Sequence, residues 1–357
     1  MRIVVFHLYN DYSGSPKVLR QVLQEMLLDA HEVHLFTSKD SEGFLSDLHG
    51  VAYHFFPYRF FASTLMRLFT FAKSQFVLFF KLLFFLQKND VVYINTVLPF
   101  GAALAGKIRG CKVIYHIHET SIRPLLLKKM LFAFVRFCAT ELVYVSKFLA
   151  QQDTLPLPKT IIYNALDHEF ISQASHYRSH ATQHKSVLMI CSLKRYKGVD
   201  VFVQLAQRHP EYPFSLVVNA SQEDIALYFK GQKLPENLSV FPTQTNTHPF
   251  YQKAGIIVNL SDPDVWVETF GLTILEGMTY GLPAIVPPVG GVTELVDSHE
   301  NGFRIHPNEL HSLSTAIQNL LTKPSLYTTF SDKAWAKSQS FSPELFSGQI
   351  RKLLSKK

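Results

Sequence analysis

Cysteine is scarce in this chain: three in 357 residues, Cys111, Cys138 and Cys191, an odd number with no C-x-x-C pair. That excludes a disulfide framework, argues against a thiolate zinc site and fits a reducing compartment. The sixteen histidines form no H-E-x-x-H, so no metal site is expected from them. Neither half opens on G-x-G-x-x-G, which disfavours a nicotinamide dehydrogenase. No nucleic-acid-binding motif is present, and no nucleic-acid partner is expected. Charged side chains are also few, 18% against 47% hydrophobic, the balance of a rather apolar globular protein. Acids are short in one half only. Residues 1–165 carry 18 Lys/Arg and 11 Asp/Glu, whereas residues 166–357 carry 17 of each. A basic half suits a membrane surface or an acidic substrate.

What the chain does have is alternation. Apolar runs at 3–8, 32–36, 51–55, 91–94, 112–117 and 142–145 are separated mostly by helical stretches. The same pattern restarts at 187–191, 214–218, 238–241 and 255–260. Repeated strand–helix alternation predicts parallel sheets covered on both faces, an α/β fold. The opening run Met1–Phe6 reads as a first strand rather than a signal peptide, because no small-residue cleavage site follows. Ser15-Pro16 predicts a helix start running to about Asp29. The length suggests two domains. We expect a first domain over 1–170, a polar linker over 171–185, a second domain over 186–340 and a C-terminal helix over 341–357 packing back on the first.

The most informative stretch is Glu268-Thr269-Phe270-Gly271-Leu272-Thr273-Ile274-Leu275-Glu276. It lies between an apolar run and the helix closed by Gly281-Leu282-Pro283, the place where α/β sheets take ligands. N–H groups at Phe270, Gly271 and Leu272 would face an anion such as a pyrophosphate. Glu268 is expected in the mouth. Glu276 lies five residues past Gly271, about 7–8 Å along the axis, its side chain leaning back toward the N-terminus. Two carboxylates so placed could hold hydroxyls on either side of a pyrophosphate, the layout of a sugar nucleotide.

This stretch, with Gly281-Leu282-Pro283, Gly290-Gly291-Val292-Thr293-Glu294-Leu295-Val296 and Asn301-Gly302-Phe303 after it, resembles the E-x7-E signature of family-4 retaining glycosyltransferases, in the glycogen-synthase-like superfamily. The resemblance implies a GT-B fold, two Rossmann-like domains with parallel sheets facing a central cleft. It implies a nucleotide diphosphate sugar as donor, retention at the anomeric carbon, and no cofactor or required metal. Lys197, in Ser192-Leu193-Lys194-Arg195-Tyr196-Lys197-Gly198, would stabilise the leaving diphosphate. The family's arginine is replaced by Ser192, and Arg195 or Lys194 is expected to substitute. Glu268 would position the hexose and Glu276 the ribose. Gly290, Gly291 and Glu294 would form a second helix N-terminus near the donor. His118, in His116-Ile117-His118-Glu119, would face the reacting sugar. Glu119, Gly14 in the first strand–helix loop and Asn164 in Asn164-Ala165-Leu166-Asp167 would line the acceptor side; Ser146 would shape the cleft.

Residues 60–88 are apolar enough to raise a membrane span, but Arg67, Lys73 and Lys81 interrupt them. With Lys88 these fall on one helical face, and residues 123–136 repeat the composition. We read the face as an interface with an anionic membrane. The expected function is therefore sugar transfer to a glycan acceptor, lipid-linked, in bacterial surface-polysaccharide synthesis on the cytoplasmic face of the membrane. A soluble sugar or glucan acceptor is the alternative within the class, and a non-catalytic membrane adaptor the alternative outside it.

Overall fold

The computed structural model describes residues 1–39, 42–61, 63–178 and 184–355. It divides into two compact units, residues 1–163 with 344 onward, and residues 164–343. Each unit is a parallel sheet with helices between its strands.

The first unit has strands β1 (Arg2–Phe6), β2 (Glu32–Ser38), β3 (Val51–Phe56), β4 (Val91–Asn95), β5 (Lys112–Ile117), β6 (Glu141–Tyr144) and β7 (Lys159–Ile161). Their order is β3-β2-β1-β4-β5-β6-β7, and every pairing is parallel. Strand order reverses between β1 and β4, so the loops after these two strands diverge and leave a crevice at their carboxyl ends. Its helices are α1 (Gly14–Leu28), α2 (Thr64–Phe85), α3 (Phe100–Ile108), α4 (Leu125–Cys138) and α5 (Lys147–Gln151). α1 begins earlier than the sequence suggested. Ser13 is its N-cap, Asp11 accepts the Ser13 N–H, and Pro16 falls at the third helical position, where an N–H would lack an intrahelical partner anyway.

The second unit opens with α6 (His168–Arg178), which runs through the first half of the stretch read as a linker; residues 179–183 lie outside the described residues. Strands β8 (Val187–Ser192), β9 (Phe214–Asn219), β10 (Leu238–Phe241), β11 (Ile256–Val258), β12 (Ala284–Val286) and β13 (Gly302–Arg304) follow. Their order is β10-β9-β8-β11-β12-β13, again parallel, with the reversal between β8 and β11. The helices are α7 (Val199–Arg208), α8 (Gln222–Tyr228), α9 (His248–Lys253), α10 (Leu272–Thr279), α11 (Leu310–Thr322) and α12 (Pro324–Ser338). Val199, Phe202 and Leu205 of α7 are buried with Phe214 and Leu216 of β9 and Leu313 and Ile317 of α11 in one core. A last helix, α13 (Pro343–Ser355), returns to the first unit, where Arg351 pairs with Glu25 and Asp29 of the α1 region.

α2 carries a correction. Its inner face, Phe71, Ser74, Gln75, Leu78 and Leu82, is buried. Gly101 of α3 comes so close that a Cβ there would fall on the Gln75 carbonyl. The helix is therefore a packed element of the unit, although its length and composition would suffice to cross a membrane. Of its basic residues, Arg67 is half-buried and lies over the Phe60 ring at 5.2 Å, whereas Lys73 and Lys81 are exposed, Lys81 5.3 Å from the Phe36 ring. Lys88 is exposed beyond the helix end. The exposed side is largely apolar, with Leu65, Phe69, Phe76, Phe80 and Phe84 along it, Phe84 by 90%. The wheel reading gave weight to charge spacing; the lysines stand on that side among a larger set of phenylalanines.

Candidate functional site

In the second unit the loops after β8, β11 and β12 meet around Glu268. The β8 loop ends in a short 3-10 turn, Arg195–Lys197, and Gly198 with φ 78° caps α7. Only glycine fits there: the conformation is left-handed, and a Cβ would fall on the Leu260 carbonyl of the β11 loop. The two loops are tied again by the Asp262 N–H to the Tyr196 carbonyl, 2.8 Å, and by Tyr196 stacked on Trp266 at 5.2 Å.

This clamp brings Lys197 Nζ to 2.9 Å from Glu268 Oε2, with the side chains 14% and 19% exposed. The ammonium also lies 5.4 Å from the Trp266 ring centre. Burial pushes the Glu268 carboxyl up, but Lys197, the Asn259 amide and the Thr269 N–H outweigh it and hold the group below the ordinary carboxylate range. Beneath the pair sits Cys191, its thiol pushed up to about 12 by burial.

Gly290 and Gly291 differ from expectation. They do not open a helix proper but a 3-10 turn, Gly291–Glu294. Gly290, at φ 121°, leaves room for the Glu268 carbonyl, which a Cβ would meet at 2.5 Å. Gly291 donates its N–H to that same carbonyl at 2.8 Å. The pair thus braces the Glu268 backbone, with Glu294 half-buried on the turn.

Gly271 caps α10 with φ 97° and packs on Val292; Leu272 begins the helix, and the Phe270 side chain turns inward onto Phe341 at 5.7 Å. Glu276 is only 4% exposed. Rather than reaching toward the mouth, its carboxylate accepts from the Tyr251 hydroxyl, and burial beside that carboxylate raises the Tyr251 phenol well above its ordinary range. Tyr251 in turn stacks on Tyr280 at 5.5 Å, whose hydroxyl bonds His248. Tyr251, Tyr280 and His248 were not singled out in the sequence, since no motif there carries them.

Arg195 and Lys194 are exposed. Arg195 acts on Tyr228, itself bonded to Asp200. A metal-like grouping that sequence reading missed joins Asp262, Asp264 and His306. However, the Asn308 N–H points at His306 Nδ1 at 3.2 Å. That engages Nδ1 as an acceptor and leaves Nε2, 3.8 Å from Asp264, as the ring nitrogen facing the two carboxylates.

In the first unit the polar cluster gathers at the carboxyl ends of β1, β4 and β5. His118 Nε2 contacts Asn95 Oδ1 at 2.9 Å, and the Asn95 amide contacts His7 Nδ1 at 3.0 Å and the Ser15 carbonyl at 3.3 Å. His116 is fully buried; its Nδ1 meets the Tyr93 hydroxyl at 2.7 Å and its ring lies 4.3 Å from that of His118. Burial lowers His116 to about 3 and His7 to about 4, and lowers His118 well below the ordinary value with help from His116 and His7. Glu119 goes the other way. Burial raises it to about 7, against hydrogen bonds from the His118 N–H, the Thr96 hydroxyl and the Val97 N–H. Thr96 offers its hydroxyl from a left-handed conformation, φ 73°, which a β-branched residue adopts only under constraint. Gly14 is the first residue of α1. Asn164 is buried with no partner for its Oδ1, and Ser146 caps α5 through Leu149 N–H.

The residues brought together are thus His118 and Glu119 in one unit and Lys197 and Glu268 in the other. His7 and Asn95 could have been found only by noticing polar residues at strand ends. The model of "Glycosyltransferase Family 4" matches residues 12–170, and that of "Glycosyl transferases group 1" matches residues 175–337. An uncharacterized glycosyltransferase of Haemophilus influenzae is 27% identical over 168 residues, 45% of this chain and 46% of that protein. The sucrose-phosphate synthase of Spinacia oleracea is 31% identical over 74 residues, 21% of this chain and 7% of that one. The matches therefore span less than half the length of these relatives. Among solved structures, Anabaena HepE in complex with UDP and glucose superposes with TM-score 0.79 at 20% identity, covering 100% of both chains. The sucrose-phosphate synthase of Thermosynechococcus elongatus gives 0.74 at 16%, covering 99% of this chain and 98% of that one.

Proposed function

Because the chain is a GT4-like glycosyltransferase whose two units answer to the two family models, we propose that it transfers a hexose, with retention and without a metal, from a nucleotide diphosphate sugar to a lipid-linked glycan. The observation that carries the donor is the Lys197–Glu268 pair at 2.9 Å, clamped by three loops at the switch point of the second sheet. An ammonium with three N–H groups can keep Glu268 and still donate to a diphosphate oxygen, whose charge grows as the glycosidic bond breaks. Glu268 is held ionised and accepts from donor hydroxyls. Glu276, backed by Tyr251, holds the ribose after a small outward movement. His118 faces the reacting sugar as a neutral ring. Solved complexes of HepE with UDP and with UDP-glucose support a uridine donor.

The lipid-linked acceptor is supported by the exposed aromatic face of α2, joined through α3 to α4, where Leu125, Leu126, Met130 and Phe137 are exposed beside Arg123, Lys129 and Arg136. Large exposed apolar patches mark interaction sites, and one rimmed by cations suits the inner face of a bacterial membrane. The second reading, a soluble phosphorylated sugar acceptor, is favoured by the sucrose-phosphate synthase relatives.

The test is release of nucleoside diphosphate from a panel of sugar nucleotides, with either polyprenyl-linked glycans in vesicles or sugar phosphates in solution as acceptor. Turnover requiring the vesicle acceptor is expected. Turnover with sugar phosphates alone would select the second reading. No turnover with any donor that nonetheless binds would favour the adaptor.

A further inference from the structure

Asn95, the last residue of β4, is fully buried with its side chain engaged on both edges. Its position is set by register: it pairs with His116 of β5, two residues before His118, and it lies beside His7, just past the end of β1. The orientation of its amide follows from its partners. The Ser15 partner, at 3.3 Å, is a backbone carbonyl and can only accept. The amide edge facing it must therefore be the NH2 group, which also reaches His7 Nδ1 at 3.0 Å. The carbonyl edge is then the one 2.9 Å from His118 Nε2. An amide oxygen only accepts, so His118 must carry a proton on Nε2.

The same logic closes at the other end. His7 Nδ1 accepts from the amide, so a neutral His7 carries its proton on Nε2. Around His118 the remaining groups are the His116 ring at 4.3 Å, the Tyr93 hydroxyl behind it, the Glu119 carboxyl bonded to the His118 N–H, and Asp11 acting on His7. Among the described residues none of these hydrogen-bonds His118 Nδ1.

We propose that Asn95 is a positioning residue that locks His118 as the neutral Nε2–H tautomer, reserving the Nδ1 lone pair to accept a hydrogen bond from a hydroxyl of the reacting sugar. The proposal rests on the reading of His118 as facing that sugar. The amide does what a carboxylate in its place could not. A carboxylate would stabilise an imidazolium, and the protonated Nδ1 would then repel the hydroxyl proton that it is meant to receive. Asn95 accepts from the ring without adding charge.

Two measurements test this. Histidine-labelled wild-type protein, read by long-range 15N–1H correlation, is expected to show His118 as the neutral Nε2–H form throughout pH 6–8, the signal being assigned by its loss in His118→Gln. An Nδ1–H tautomer or an imidazolium overturns the proposal, and this readout needs no substrate and no Asn95 variant. Asn95→Asp should then raise the His118 titration into the neutral range. Turnover should fall about tenfold at pH 6 and recover as pH rises, a limb absent from wild type, while the donor KM changes by less than about threefold. A variant whose turnover follows wild type at every pH also overturns it. If no nucleotide sugar shifts the melting temperature of the wild type, the glycosyl-transfer reading fails, and the tautomer is still decided by the NMR spectrum.

Discussion

Replacing Lys197 with methionine removes the cation and keeps most of the side chain's length, so the packing on Trp266 survives while Glu268 loses its main partner. Both groups are largely buried. Breaking a buried pair by deleting one partner costs about 3–5 kcal/mol when nothing else compensates. Here the Asn259 amide, 3.4 Å away, and the Thr269 N–H remain, so a loss of about 2–3 kcal/mol at pH 7 is expected. The pH dependence carries a definite sign. In the wild type Glu268 is held below its ordinary value. Its contribution is therefore present above the unfolded carboxylate pKa and is lost as pH falls through the folded one. In the variant burial dominates and raises the carboxyl, so the folded state takes up a proton earlier and the gap to wild type narrows from pH 8 down to pH 5. Urea unfolding followed by tryptophan fluorescence suits the measurement, since the chain's two tryptophans, Trp266 and Trp335, both lie in the second unit. Adding Glu268→Gln should restore part of the loss, a coupling on the order of 1–3 kcal/mol. A gap independent of pH, or a double variant that merely adds the two losses, would refute the argument that the pair is electrostatically coupled.

Other outcomes are expected elsewhere in the molecule. Glu119 is raised to about 7 in the fold, so it favours the folded state below the unfolded carboxylate pKa and loses that contribution as pH rises to about 7. Glu119→Gln should flatten this part of the stability profile of the first unit, and an unchanged profile would remove Glu119 as its source. Glu276→Ala should weaken donor binding by about 1.5–3 kcal/mol and Tyr251→Phe by less, since the carboxylate stays; calorimetric titration in which both bind as wild type would leave Glu276 a core residue only. Changing Phe69, Phe76 and Phe84 together to serine should abolish sedimentation with anionic vesicles, whereas Lys73→Gln with Lys88→Gln should reduce it only at low salt. Gly198→Ala should lower the melting temperature of the second unit strongly, because the left-handed conformation costs about 1–2 kcal/mol before the clash with Leu260 is counted; a stability near wild type would mean the β8 and β11 loops are not clamped there.

Local pattern was enough for the architecture and for the pieces of the candidate site in the second unit. Alternating apolar runs and helical stretches foretold two parallel α/β sheets, because a strand buried on both faces must be apolar throughout and its crossover helix must be amphipathic. Edge strands β7 and β13 escaped, since Lys159-Thr160-Ile161 and Gly302-Phe303-Arg304 each carry a single large apolar residue and form no apolar run. Lys197, Glu268 and the glycines at 198, 271 and 290 were visible as motifs, each a local requirement of charge or backbone conformation. Tertiary structure alone decided which of them meet. Lys197 and Glu268 are 71 residues apart, Asn95 and His7 are 88 apart, and no local pattern records a contact of that span. Burial also settled directions that spacing left open. Glu276 turns in to Tyr251, and α2 presents phenylalanines outward alongside Lys73 and Lys81. A helical wheel fixes which residues share a face, but the neighbours packed against the helix choose the face that is covered.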